Sequence, residues 1–265
     1  MSILLQISDS HFGTEQAPVV EALEALARHQ QPDLLVLSGD ITQRARPAQF
    51  REARAFTDRL GVPALAIPGN HDIPLFDLLA RLRRPYARYV AAFGDDLEPV
   101  HASPDLLVVC VNTTRAWRHK HGEVSALQVD RVGRLLARAG AAQLRVVAVH
   151  QPVAVTRPED ARNLLRGHAA ALQRWAVAGA DLVMGGHIHL PFVKALDGLA
   201  RPMWAVQAGT AVSSRVRAGA PNSVNLLRWG ADAPPGVCRI ERWDFATGAQ
   251  AFERAGISEV RPDRG

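Results

Sequence analysis

Gly69-Asn70-His71-Asp72 places an amide oxygen, an imidazole and a carboxylate on one tight turn, directly after an apolar run closed by Pro68. The amide oxygen of Asn70 suits a hard cation, and the ring of His71 can carry a proton near neutral pH. Asp72 is expected to hold that ring in one tautomer. Four further clusters carry the same kind of chemistry: Asp9-Ser10-His11, Gly39-Asp40, His150, and Gly186-His187-Ile188-His189. Together they offer as candidate metal ligands Asp9, His11, Asp40, Asn70, His150, His187 and His189. Imidazole, carboxylate and amide donors without thiolate suit Mn, Fe, Zn or Co and argue against a structural zinc site. Two divalent cations at roughly 3.5–4 Å need a bridging ligand, and Asp40 is the residue assigned to the bridge. A hydroxide held between such ions is a strong nucleophile, and the ions also neutralise charge on a phosphoryl oxygen. His71 is then left as proton donor to a leaving oxygen, with Asp72 behind it.

Most of these ligands follow an element that reads as a buried strand. The runs 3–7, 33–38, 62–67, 144–149 and 180–184 are short and apolar, and each leads into a ligand. If residues 9–11 stay extended, Asp9 and His11 point to the same side. Between the strands, Val19, Val20, Leu23, Leu26 and Ala27 mark one helix face, and Phe50, Ala53, Phe56 and Leu60 mark another. Strand and helix in alternation predict parallel strands whose ligand-bearing ends gather at one edge. Residues 75–93 read as an amphipathic helix pair restarted at Pro85, with Arg81, Arg83, Arg84 and Arg88 on its solvated face. Beyond Pro191 the short runs 192–195, 203–207, 223–227 and 237–243 predict antiparallel sheet that covers the first as the other half of a sandwich. One domain over 1–255 with a polar C-terminal tail, 256–265, is the expected organisation. His119-Lys120-His121 repeats the spacing of the second histidine pair but lies in a polar stretch after Trp117-Arg118, and it is assigned to the surface.

Composition narrows the class. In 265 residues, 48% apolar content is ample for a buried core. Cys110 and Cys238 form neither a disulfide framework nor a thiolate site, which fits a reducing compartment and a cytoplasmic protein. The N-terminus reads as a first strand and not as a signal peptide, and no run approaches ~18 consecutive apolar residues, so no membrane partner is expected. The net charge of +5 is carried by arginines scattered over the helices, with Lys120 and Lys194 the only lysines. Nucleic acid is therefore an open but unfavoured partner, and homo-oligomerisation is left open.

Taken together, Asp9-Ser10-His11, Gly39-Asp40, Gly69-Asn70-His71-Asp72, His150 and Gly186-His187-Ile188-His189 resemble the full motif set of the calcineurin-like metallophosphoesterases. The resemblance implies an α/β fold, a four-layer αββα sandwich with a mixed sheet core, and a two-metal centre. It implies that Asp9, His11, Asp40 and His189 hold one ion, and Asp40, Asn70, His150 and His187 the other. Many members carry an acidic residue where this chain has Gln43, a position that is not usually a ligand. The compact size resembles class III cyclic-nucleotide phosphodiesterases and bacterial glycerophosphodiesterases. The implied function is a dinuclear metal-dependent phosphodiesterase acting on small phosphodiesters by attack of a metal-bridging hydroxide. A nuclease on the same motifs is the alternative, although few aromatics are available for strand stacking. A non-catalytic scaffold is the least favoured, because every ligand is kept.

Overall fold

A computed structural model describes residues 2–230 and 234–264. Its parallel strands β1 (Ser2–Ile7), β2 (Leu34–Ser38) and β3 (Ala64–Ile67) are joined by α1 (Ala17–Gln30) and α2 (Pro47–Leu60). After two short helices, α3 (Leu78–Arg83) and α4 (Ala87–Phe93), the chain enters a second sheet. That sheet holds β4 (Val100–Ala102), β5 (Leu106–Cys110), β6 (Leu144–Ala148) and β7 (Leu182–Gly185), with α5 (Ala126–Leu136) and α6 (His168–Ala178) as crossovers. The remaining strands are β8 (Phe192–Ala195), β9 (Trp204–Gln207), β10 (Ser223–Trp229), β11 (Cys238–Ala246) and β12 (Ala251–Val260).

Side-chain alternation along the central strands builds the layers. In β1, Ile3, Leu5 and Ile7 pack with Val19, Leu23, Phe50 and Phe56 of the helices on one side, while Leu4 faces the other sheet. Val108, Val146, Leu182 and Met184 meet Leu4, Val36 and Ile67 in that inter-sheet core. On the far side Trp175 and Val132, from α6 and α5, cover Val109 and Val147. The architecture is thus the expected αββα sandwich.

The C-terminal strands do not cover the first sheet as expected. They extend both sheets edge-on, giving the orders β12-β11-β10-β1-β2-β3 and β4-β5-β6-β7-β9-β8. β10 pairs antiparallel with β1 from Ser2 opposite Trp229 to Gln6 opposite Asn225. β9 runs antiparallel to β8, as expected, but parallel to β7, a pairing the sequence reading missed. The predicted tail also begins too early. Residues 256–260 belong to β12, where Val260 pairs with Cys238, and polar side chains there reflect an outward-facing edge strand and not fraying. Arg264 beyond it is anchored to the buried Asp181 carboxylate by two hydrogen bonds of 2.9 Å. The apolar face expected at 75–93 is only half buried: Tyr89 packs inside, but Leu78, Leu79 and Leu82 of α3 remain exposed.

Since β10 and β11 contribute Leu227, Trp229, Cys238 and Ile240 to the inter-sheet core, truncation after Leu190 should give an unfolded or aggregated product. Burial of each large side chain is worth ~1.5–3 kcal/mol, and a domain of this kind holds only ~5–15 kcal/mol net. Circular dichroism and size-exclusion chromatography check this; a soluble, cooperatively melting 1–190 fragment would contradict it.

Candidate metal centre

The two sheets present the C-terminal ends of β1, β2, β3, β6, β7 and β9 to one edge, where the ligand loops interlock. Asp9 N–H donates to the Gly39 carbonyl (3.1 Å) and His11 N–H to the Asp40 carbonyl (2.9 Å), tying the first loop to the second. The expected extended Asp9–His11 pair is not what brings these side chains together. Asp9 and His11 have φ of 52° and 43°, and Asp40, His187 and His189 have 48°, 74° and 56°. Such left-handed backbone costs roughly 1–3 kcal/mol per non-glycine residue, so the ligand loops are held by the surrounding structure against their local preference. Loop contact is close enough to require glycine. A Cβ on Gly39 would strike the His150 ring, and one on Gly186 would strike Ser8 and the Asp9 carboxylate. Gly186→Ala should therefore lower bound metal while the fold survives, which elemental analysis beside circular dichroism would measure.

All the sequence candidates converge. Donor atoms of Asp9, His11 and His189, of His11, Asp40 and His71, and of Asp40, His150 and His187 each lie within 4.8 Å of one another. On one side, His189 Nε2 is 3.2 Å from Asp9 Oδ1 and 3.3 Å from His11 Nε2, and Asp40 Oδ2 stands 3.8 Å from His11 Nε2. On the other, His150 Nε2 is 3.3 Å from both Asp40 Oδ1 and the Asn70 amide oxygen. The two oxygens of Asp40 thus face two different clusters.

Second contacts fix which ring atoms are free. His150 Nδ1 is 2.9 Å from the Ser38 carbonyl, and His189 Nδ1 is 2.6 Å from the Arg215 carbonyl. Each is thereby the donor, leaving Nε2 aimed inward with its lone pair. Buried lone pairs of imidazole, carboxylate and amide pointing at one another at 3.3 Å call for a cation among them. The buried Nδ1 of His187 has no hydrogen-bond partner, as a free ligand atom would. The donor set therefore fits divalent metal on its own chemistry.

Electrostatics agree. Burial lowers His11 and His187 to about 3, so both are neutral donors at any physiological pH. For His150 burial opposes the charge, but the Asp40 and Asp9 carboxylates prevail and raise it to about 9. At Asp9 burial opposes ionisation and the attraction of His189 overcomes it, holding the carboxyl well below its usual range. The buried carboxylates demand positive charge, which a proton on His150 or a bound cation can supply.

Asp72 does not touch the His71 ring. Its oxygens accept from the backbone N–H groups of Ile41 (3.0 Å), Thr42 (2.7 Å) and Gly69 (2.8 Å) and from the Thr42 hydroxyl (2.8 Å). Burial, then the charge of Asp40, push this carboxyl up to about 6 against the pull of those donors. Asp72 ties the Asp40 loop to the Asn70 turn. Orientation of His71 falls instead to its backbone N–H, which donates to Asp40 Oδ1 at 2.8 Å, and to Nδ1, 2.9 Å from the Gln43 carbonyl.

Two contributors were missed by sequence reasoning. Thr210 Oγ1 lies 2.8 Å from His189 Nδ1, and the Arg215 guanidinium reaches the mouth of the centre, with Nη1 3.2 Å from His71 Nε2 and 2.9 Å from Gln43 Oε1. Both sit in the loop after β9. The available signal was a glycine-terminated apolar strand followed by buried polar residues, as in the other ligand loops. His119 and Lys120 are exposed, as expected.

This sandwich and its ligand edge define a metallophosphoesterase. The chain belongs to the calcineurin-like phosphoesterase family, which residues 3–191 match. A probable cyclic nucleotide phosphodiesterase of Synechococcus is 27% identical over 203 residues, 72% of this chain and 74% of that one. A cAMP/cGMP dual specificity phosphodiesterase of Mycobacterium tuberculosis is 27% identical over 206 residues, 71% of this chain and 61% of that protein. A glycerophosphodiester phosphodiesterase of Enterobacter lignolyticus is 37% identical over 83 residues, 26% of this chain and 29% of its own length. Among solved structures, a dimetal phosphatase from Danio rerio superposes with a TM-score of 0.70 at 15% identity, covering 99% of both chains. That likeness speaks for the fold. No helix among the described residues is long and apolar enough to cross a membrane.

Proposed function

We propose that the protein is a dinuclear metal-dependent phosphodiesterase acting on small phosphodiesters, with cyclic nucleotides and glycerophosphodiesters as the candidate substrates. The observation that carries this reading is Asp40, whose Oδ1 lies 3.3 Å from His150 Nε2, itself 3.3 Å from the Asn70 amide oxygen, and whose Oδ2 lies 3.8 Å from His11 Nε2. One ion would be held by Asp9, His11, Asp40 and His189, and the other by Asp40, Asn70, His150 and His187. Two such ions supply charge neutralisation at the phosphoryl oxygens and acidify the attacking water. The protein's own part is orientation and proton transfer. Ser38 and Arg215 carbonyls set the tautomers of His150 and His189. The Gln43 carbonyl holds His71 Nδ1, which leaves Nε2 as the atom that hands a proton to the leaving oxygen.

Cys110 and Cys238 are both buried and unpaired, which supports a reducing, cytoplasmic setting. The test is a panel of cyclic nucleotides, glycerophosphodiesters, aryl diesters and single-stranded DNA, each with Mn. Turnover of small diesters with little on DNA is the expected outcome. Preference for DNA would favour the nuclease alternative, and no turnover of any diester would overturn the reading.

A further inference from the structure

We infer that Arg215 is the substrate-phosphate clamp of this site, taking a non-bridging phosphoryl oxygen of the diester; the inference rests on the phosphodiesterase reading above. The root of the side chain is fixed against the metal ligands. The Arg215 carbonyl accepts from His189 Nδ1 and from Thr210 Oγ1 (3.1 Å), and its N–H donates to Ser213 Oγ (3.1 Å). From there the guanidinium lies over the mouth of the centre, with Nη1 3.5 Å from His11 Nδ1 as well as close to His71 and Gln43.

No carboxylate pairs with Arg215 among the described residues. Its neighbour Arg217 differs: Nη1 is held by both oxygens of Asp160 at 2.9 Å, which anchors the loop. Arg215 is thus a fixed cation, half-buried, whose side-chain partners are an amide oxygen and imidazole nitrogens. These are weak partners for a guanidinium, which prefers the paired oxygens of a phosphate. The same residue lines an open groove of about 390 Å³ with Asn163, Ile188, His189 and Val216, a space in which one arm of a diester can lie.

The arrangement also couples the clamp to the proton donor. His71 Nδ1 is occupied by the Gln43 carbonyl, so the contact of Nη1 with Nε2 engages the lone pair of that nitrogen. Transfer of the guanidinium to phosphate frees that lone pair, so that Nε2 can take up a proton from solvent and then pass it to the leaving oxygen. A guanidinium pairs in planar, bidentate fashion with phosphate oxygens, so the clamp selects for an anionic phosphoryl group.

Calorimetric titration of the Mn-loaded protein with inorganic phosphate tests this without reliance on turnover. Arg215→Ala should weaken phosphate binding about 10- to 100-fold, the usual worth of a hydrogen bond to a charged group, at a metal content equal to that of the unaltered protein. Arg215→Lys should recover part of the loss. Gln43→Glu is the second variant: it leaves Arg215 in place but gives it a counterion, and it too should weaken phosphate. Phosphate binding to Arg215→Ala as tight as to the unaltered protein, or no phosphate binding by the Mn-loaded protein itself, would overturn the clamp. Phosphate binding that depends on Arg215 in a protein that cleaves no diester would instead uphold the clamp and sink the phosphodiesterase reading.

Discussion

Asp40→Ala should lose both metal ions, whereas Asp9→Ala and Asn70→Ala should each lose one. Asp40 presents one oxygen to each ligand cluster, Oδ1 at 3.3 Å from His150 Nε2 and Oδ2 at 3.8 Å from His11 Nε2. Removing it also strips the acceptor of the His71 N–H. It further takes away the negative charge that lowers repulsion between two cations. Metal content measured after gel filtration should fall from about two equivalents to well under one, and diester turnover by at least ~10³-fold, since several kcal/mol of charge stabilisation disappear. Retention of close to two equivalents by a folded Asp40→Ala protein would show the bridge to be wrong. Loss of a single equivalent would place Asp40 in one site only.

The second large effect concerns His71, whose Nε2 is proposed to protonate the leaving alkoxide. His71→Ala should cost about 10²- to 10⁴-fold on an alkyl or nucleoside diester, the usual scale of general-acid catalysis. The cost should be far smaller on a p-nitrophenyl diester, whose phenolate departs without a proton. Equal losses on both substrates, at saturating metal, would leave His71 with a positioning role only. Asp72→Asn makes a contrast. Because that carboxylate ties together the backbone of residues 41, 42 and 69 without touching the His71 ring, its replacement should lower stability and metal content and should not show leaving-group dependence.

The difference between Asp72 and His71 marks where reading the chain succeeds and where it stops. The candidate ligands, which the fold brings together at one edge, were legible because metal chemistry needs particular atoms, and these stand at the ends of apolar runs whose period and length already signal strands: Asp9 after β1, Asp40 after β2, Asn70 after β3, His150 after β6 and His187 after β7. The buried helix faces, with Val19, Leu23, Phe50 and Phe56, were equally legible from spacing. Asp72, by contrast, was assigned to the ring beside it in sequence, yet its oxygens turn to the backbone of a loop some thirty residues earlier. The neighbouring sequence offers only the Gly69 N–H of the same turn, and it is the packing of the second loop against that turn that adds three donors from Ile41 and Thr42.

Strand direction was likewise decided by tertiary structure. A strand of four residues such as β9 carries no mark of being parallel or antiparallel. That choice follows from which neighbour it joins, and pairing with β7 is what swings Thr210 and Arg215 to the metal edge. The left-handed backbone of Asp9, His11, Asp40, His187 and His189 is the same case in small. Local propensity disfavours it for every one of these residue types, and it is the interlocked loops, made possible by glycines such as Gly39 and Gly186, that hold the side chains on a common centre. The sequence by itself thus determined which atoms are available to bind and roughly where the strands lie. Their meeting at one edge, and the arginine laid across it, were decided by long-range packing, which no window of neighbouring residues encodes.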